Sequence, residues 1–131
     1  MSTELIIAIA VSIAAAATPI LLAALGELVV EKSGVLNLGV EGMMLVGAVI
    51  AVAVTLTTGN HLLAIVCAAV AASMASMIFG LLTLTLSANQ VATGLALTIL
   101  GTGFSALFGQ PFTGKNVPIL RSPFPPELAA D

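Results

Sequence analysis

Asn37 and Glu41 stand four residues apart, a spacing that sets two polar side chains on one face of a helix. Two chemistries fit the pair. Asn37 can serve as an N-cap with Glu41 in the first turn, where the helix dipole favours a carboxylate. The pair can equally line a path for a polar solute, because helix starts inside membranes act as polar binding ends in transporters. The two roles are compatible. A charged residue at the bilayer centre costs at least ~2.5–3.5 kcal/mol, so Glu41 is expected to face protein or a water-filled cavity.

The other groups that could do chemistry offer less. Glu27, Glu31 and Lys32 form a charged patch that reads as interfacial, with Lys32 snorkelling. His61 reads as a solvated turn residue, and Cys67, alone in an apolar run, as a small packing residue. The run from Gly109 to Asn116 imitates a phosphate-binding loop, but Asn116 occupies the place of the Ser or Thr that must hold Mg²⁺. That motif also needs a strand before it and a helix after it, whereas an apolar segment precedes it and Pro118 and Pro123 follow. Gly101-Thr102-Gly103-Phe104-Ser105-Ala106 resembles a dinucleotide fingerprint only in its glycines, since it lies inside a span with no βαβ unit. No Ser-His-Asp set, carboxylate dyad or metal-ligand cluster is legible. The chain is therefore expected to be no enzyme and to bind neither metal nor cofactor.

The elements that must position these residues follow from composition. Of 131 residues, 60% are hydrophobic and 7% charged, and the mean hydropathy is +1.23. A soluble domain usually carries about 25% charged residues. Lipid is the expected surroundings and the fold class is all-α integral membrane. The net charge of −3 with no basic cluster excludes a nucleic-acid partner. The N-terminus lacks a basic n-region, and its apolar stretch exceeds the ~7–15 residues of a signal peptide, so it counts as a span.

A span needs about 20 apolar residues. Residues 5–26 satisfy this, and the helix is expected to continue to Lys32 with Gly34 as C-cap and a tolerated kink at Pro19. Residues 45–57 alone would make only about 20 Å of helix, so the second span must borrow from residues 35–44 and draw Asn37 and Glu41 to the hydrocarbon edge. Thr58-Gly59-Asn60-His61 reads as a turn, and Ser87 with Gln90 as a capping box. Helices are thus expected near 5–32, 37–57, 62–86 and 90–109, all within a membrane region 1–110. Residues 111–131, with five prolines, read as an extramembrane segment.

Close approach of helices in lipid works through small side chains. Ala64, Ala68, Ala72, Ser76 and Gly80, each four residues from the next, make a stripe of small side chains expected to be a helix contact. On the fourth helix, Gly94, Thr98, Thr102 and Ala106 read as one face, and Gly101, Ser105 and Gly109 as another. With no Trp or Tyr and only five Phe, interfacial anchoring is weak, which suits the interior of a larger assembly.

The stretch Glu31-Lys32-Ser33-Gly34-Val35-Leu36-Asn37-Leu38-Gly39-Val40-Glu41-Gly42-Met43-Met44 resembles the permease subunits of bacterial ABC importers. Their class is that of branched-chain amino acids and ribose, in its nucleoside and simple-sugar branch. Ala88-Asn89-Gln90-Val91-Ala92-Thr93-Gly94-Leu95-Ala96-Leu97-Thr98, followed by Gly101-Thr102-Gly103, is similar to a second stretch of that branch. The resemblance covers nearly all of residues 5–120. Members are more than twice this long, so it implies an N-terminal part that alone is no working permease. It also implies a multi-pass bacterial plasma-membrane location and partners: ABC ATPase subunits that hydrolyse ATP, a second permease subunit and an extracytoplasmic solute-binding protein. Of the residues present, Asn37, Glu41, Asn89, Gln90 and Thr93 are expected to line or shape the solute path, in roles the family resemblance does not itself fix.

Two rival readings use the same residues. A small proton-coupled multidrug transporter has about this length and one membrane-buried Glu, but here the carboxylates cluster at helix ends without an aromatic cage. A non-transporting membrane-assembly protein would need only the Gly and Ala stripes. Positive-inside counting on Lys115 and Arg121 marginally favours a cytoplasmic tail. The family resemblance places Lys32 in the cytoplasm and the tail outside, and the expectation follows it.

Overall fold

The structure, a computed structural model, describes residues 3–118, so the expectations for residues 119–131, Arg121 among them, lie outside the described residues. It contains helices and no strand among the described residues. Four helices are long and apolar enough to cross a membrane: α1 (Thr3–Lys32), α2 (Val40–Thr58), α3 (His61–Gly80) and α4 (Gln90–Gly109). A π-helical stretch, Leu81–Thr85, extends α3, and a 3₁₀ turn, Gln110–Phe112, follows α4.

The 30 residues of α1 make about 45 Å of helix, longer than a ~30 Å hydrocarbon core. The helix passes Pro19 unbroken. It stops where Gly34 takes φ +86°, a conformation that costs glycine nothing. Gly34 N–H then donates to the Glu31 carbonyl (2.9 Å) and Val35 N–H to the Val30 carbonyl (3.3 Å), the paired bonds of a Schellman motif.

α2 opens on Gly39 rather than on Asn37. Asn37 Oδ1 accepts from Gly39 N–H (2.9 Å), so the side chain closes a local turn before the helix begins. Asn37 and Glu41 therefore share no helix face: Asn37 is 7% exposed and Glu41 is exposed. The 19 residues of α2, about 28 Å, do take in Glu41, Gly42, Met43 and Met44, as the shortage of apolar length required.

The later connections are tight. Asn60 Oδ1 caps α3 by accepting from Leu63 N–H (3.1 Å), and His61 is the first residue of that helix rather than part of the turn. The expected Ser87–Gln90 capping box is replaced by Asn89, whose Oδ1 accepts from Ala92 N–H (3.0 Å). The cause lies one step earlier. The π-helical stretch closes with Leu86 N–H on the Leu81 carbonyl (3.1 Å) and Ala88 N–H on the Leu82 carbonyl (2.9 Å), which leaves Ser87 at φ +52°. In that conformation Ser87 is not the extended residue an N-cap requires.

α2 packs along both α3 and α4, which touch each other less, while no residue of α1 is buried. The small core joins Met43, Ala75, Phe79 and Leu97, with Val35 against it. Of the small-residue stripe, Ala64 is buried, and Ala68 and Ala72 lie half-buried against Gly47. Ser76 is exposed and Gly80 has open space beside it. A four-residue step overshoots the helical repeat by about 40°, so the buried line drifts onto Ala75, Phe79 and Thr83.

Candidate functional site

The polar groups converge on residues 36–39, the irregular segment between α1 and α2. Leu36 N–H donates to Gln90 Oε1 of α4 (2.7 Å). Asn37 N–H donates to Glu27 Oε1 of α1 (2.9 Å). Thr98 Oγ1 of α4 donates to the Leu38 carbonyl (2.9 Å), and Gly39 N–H is held by Asn37 itself. Backbone polar atoms taken out of water need partners, and Asn37 and Gly39 are buried. Here side chains supply the partners.

That arrangement needs α2 and α4 to cross in backbone contact, and glycine permits it. A Cβ on Gly101 would overlap Gly42, reaching 2.5 Å from its Cα and 2.7 Å from its carbonyl carbon. A Cβ on Gly42 would meet the Leu97 carbonyl oxygen and stand 2.8 Å from Thr98 Cα. A Cβ on Gly94 would fall 2.9 Å from Leu38 N, beside the segment itself. Gly94, Leu97 and Gly101 thus share the buried face of α4. Counting in steps of four splits Gly94 from Gly101; their separation of seven, nearly two full turns, puts them together.

Of the residues singled out in the sequence, Asn37 and Gln90 meet at this segment. Asn37 has both ends of its amide engaged, Oδ1 on Gly39 and Nδ2 3.8 Å from Met43 Sδ. Asn89 is exposed and occupied in capping α4. Thr93 lines a groove of about 360 Å³ between α3 and α4, with Phe79, Leu82, Ala96 and Leu100 around it. Glu41 lies in the first turn of α2, exposed, and neither it nor Thr93 has a side-chain hydrogen bond among the described residues. Sequence reasoning missed Glu27 and Thr98 as partners of this segment. Thr98 had a signal, its place four residues after Gly94 and three before Gly101; Glu27 had none beyond its charge.

The site is a polar, non-helical segment that joins α1 to α2 and is held by side chains of α1 and α4. Residues 9–126 match the family described as branched-chain amino acid transport system / permease component, and the chain belongs to that family. It is 45% identical over 102 residues to the candidate glucose ABC transporter permease protein TsgC13 of Haloferax volcanii, covering 78% of this chain and 31% of that protein. It is 32% identical over 105 residues to the guanosine ABC transporter permease protein NupQ of Bacillus subtilis, covering 76% of this chain and 33% of that protein. The chain spans about a third of the length of these curated relatives. No solved structure matches it. Family and helices together make it a multi-pass plasma-membrane protein of a transport family.

Proposed function

We propose that the chain is part of the transmembrane permease of an ABC importer for nucleosides or simple sugars, and that it forms part of the solute path. The observation that carries this is the match to a family of permease components over residues 9–126, flanked by relatives named for glucose and guanosine. The permease performs no catalysis and holds no cofactor. ATPase subunits hydrolyse ATP, a solute-binding protein delivers the solute, and a second permease subunit completes the path.

Within the site the five path residues divide by what they already do. Asn37, Asn89 and Gln90 hold backbone and so shape the path. Glu41 and Thr93 keep their polar atoms available and are the ones to touch solute. A test is co-purification of the tagged full-length permease carrying this segment. Recovery of ATPase subunits, with ATP hydrolysis stimulated by solute-loaded binding protein, supports the assignment. A permease that assembles with no ATPase overturns it.

A further inference from the structure

Residues 36–39 are gripped from two helices in alternation. Leu36 is held from α4 by Gln90, Asn37 from α1 by Glu27, and Leu38 from α4 by Thr98, at 2.7, 2.9 and 2.9 Å. Among the described residues, the Glu27 bond is the one side-chain hydrogen bond that α1 makes to residues beyond its own C-terminal turn. α1 buries no side chain, and its flank at Pro19, Leu22 and Ala23 borders a groove of about 570 Å³ against α2 and α3. Packing therefore does little to fix α1, and the Glu27 carboxylate does much.

We infer that Glu27, Gln90 and Thr98 are positioning residues that clamp residues 36–39 between α1 and α4 and so fix where α2, with Glu41, begins. Because the grips alternate along consecutive peptides, moving α1 away from α4 by about 1 Å stretches at least one bond past hydrogen-bonding range. The two helices and the start of α2 then move as one unit. This rests on the permease reading for its consequence in transport, since displacing Glu41 alters the solute path; the clamp itself does not.

The experiment is residue-resolved amide hydrogen exchange on the full-length permease in its complex. Glu27→Ala is expected to speed exchange at Asn37 by about tenfold and, through the shared clamp, at Leu36, whose own partner Gln90 is untouched. Glu27→Gln keeps an acceptor oxygen and is expected to restore protection at both. In uptake, Glu27→Ala raises the half-saturating solute concentration more than it lowers the maximal rate. If Glu27→Ala frees Asn37 alone and leaves Leu36 protected, the bonds are independent and the clamp is overturned. Should the Ala variant not assemble, Thr98→Val, which keeps shape and loses only the donor, carries the test: faster exchange at Leu36 and Asn37 supports the clamp, unchanged exchange overturns it. The exchange result stands whatever solute the complex carries, so its failure is separable from failure of the permease reading.

Discussion

Adding one methyl group at Gly101 should disrupt the crossing on which the site depends. The new Cβ would overlap the Gly42 carbonyl, at 2.5 Å from Gly42 Cα. Carbon atoms rest about 3.5–4.0 Å apart, so α2 and α4 must separate by roughly 1 Å. The opposing atoms are backbone, and no rotamer change can relieve them. Separation would carry the Thr98–Leu38 bond from 2.9 Å to about 3.9 Å, past hydrogen-bonding range. Overpacking costs ~1–3 kcal/mol, and a lost interhelical hydrogen bond in a membrane protein about 0.6 kcal/mol more. The expected penalty is therefore about 2–4 kcal/mol. Gly103→Ala is the internal control, because two residues further along the same helix nothing lies within 4 Å of the added atom. That change should be neutral or stabilising by up to ~1 kcal/mol through helix propensity. Thermal melting of the detergent-purified full-length permease compares the two. Equal melting temperatures for Gly101→Ala and Gly103→Ala would refute the backbone-contact crossing.

The remaining predictions concern single positions. Ala75→Leu should weaken the bundle by about 1–3 kcal/mol, since Ala75 is 8% exposed and sits in the core, whereas Ser76→Leu should leave melting unchanged. Equal effects of the two would mean that the buried line of α3 is misplaced. Ser87→Gly should stabilise by about 1 kcal/mol by relieving φ +52°, while Ser87→Ala should not, as read by the same melts. Glu41→Gln removes charge but keeps size and hydrogen bonding, and should reduce uptake or change solute preference with normal assembly; unchanged uptake per assembled complex would leave Glu41 a first-turn carboxylate worth ~0.3–1 kcal/mol.

Hydropathy made the four apolar helices legible, because lipid demands long apolar runs and little else. The shortage of apolar length after Leu45 also showed that Glu41 must be drawn into α2. What stayed hidden were choices among equivalent polar partners. Nothing in the sequence says that Asn37 caps its own turn and not the helix, or that Gln90 reaches back 54 positions to Leu36 while Asn89 does the capping. The π-helical stretch after Gly80 decides the latter, and its residues, Leu-Leu-Thr-Leu-Thr, read as ordinary helix. The packing faces were blurred by a different cause, the 40° overshoot of a strict four-residue step. Counting at 3.6 residues per turn aligns Gly94 with Gly101, and Ala64 with Ala75.

Transport by the reconstituted complex tests the central claim most directly. The full-length permease carrying this segment, with its second permease subunit, ATPase subunits and binding protein in proteoliposomes, should accumulate labelled glucose or guanosine. That uptake should require ATP at the nucleotide-binding face and loaded binding protein, and it should survive a protonophore. Accumulation driven by a proton gradient without ATPase subunits, or no uptake of any simple sugar or nucleoside by a fully assembled complex, would contradict the account.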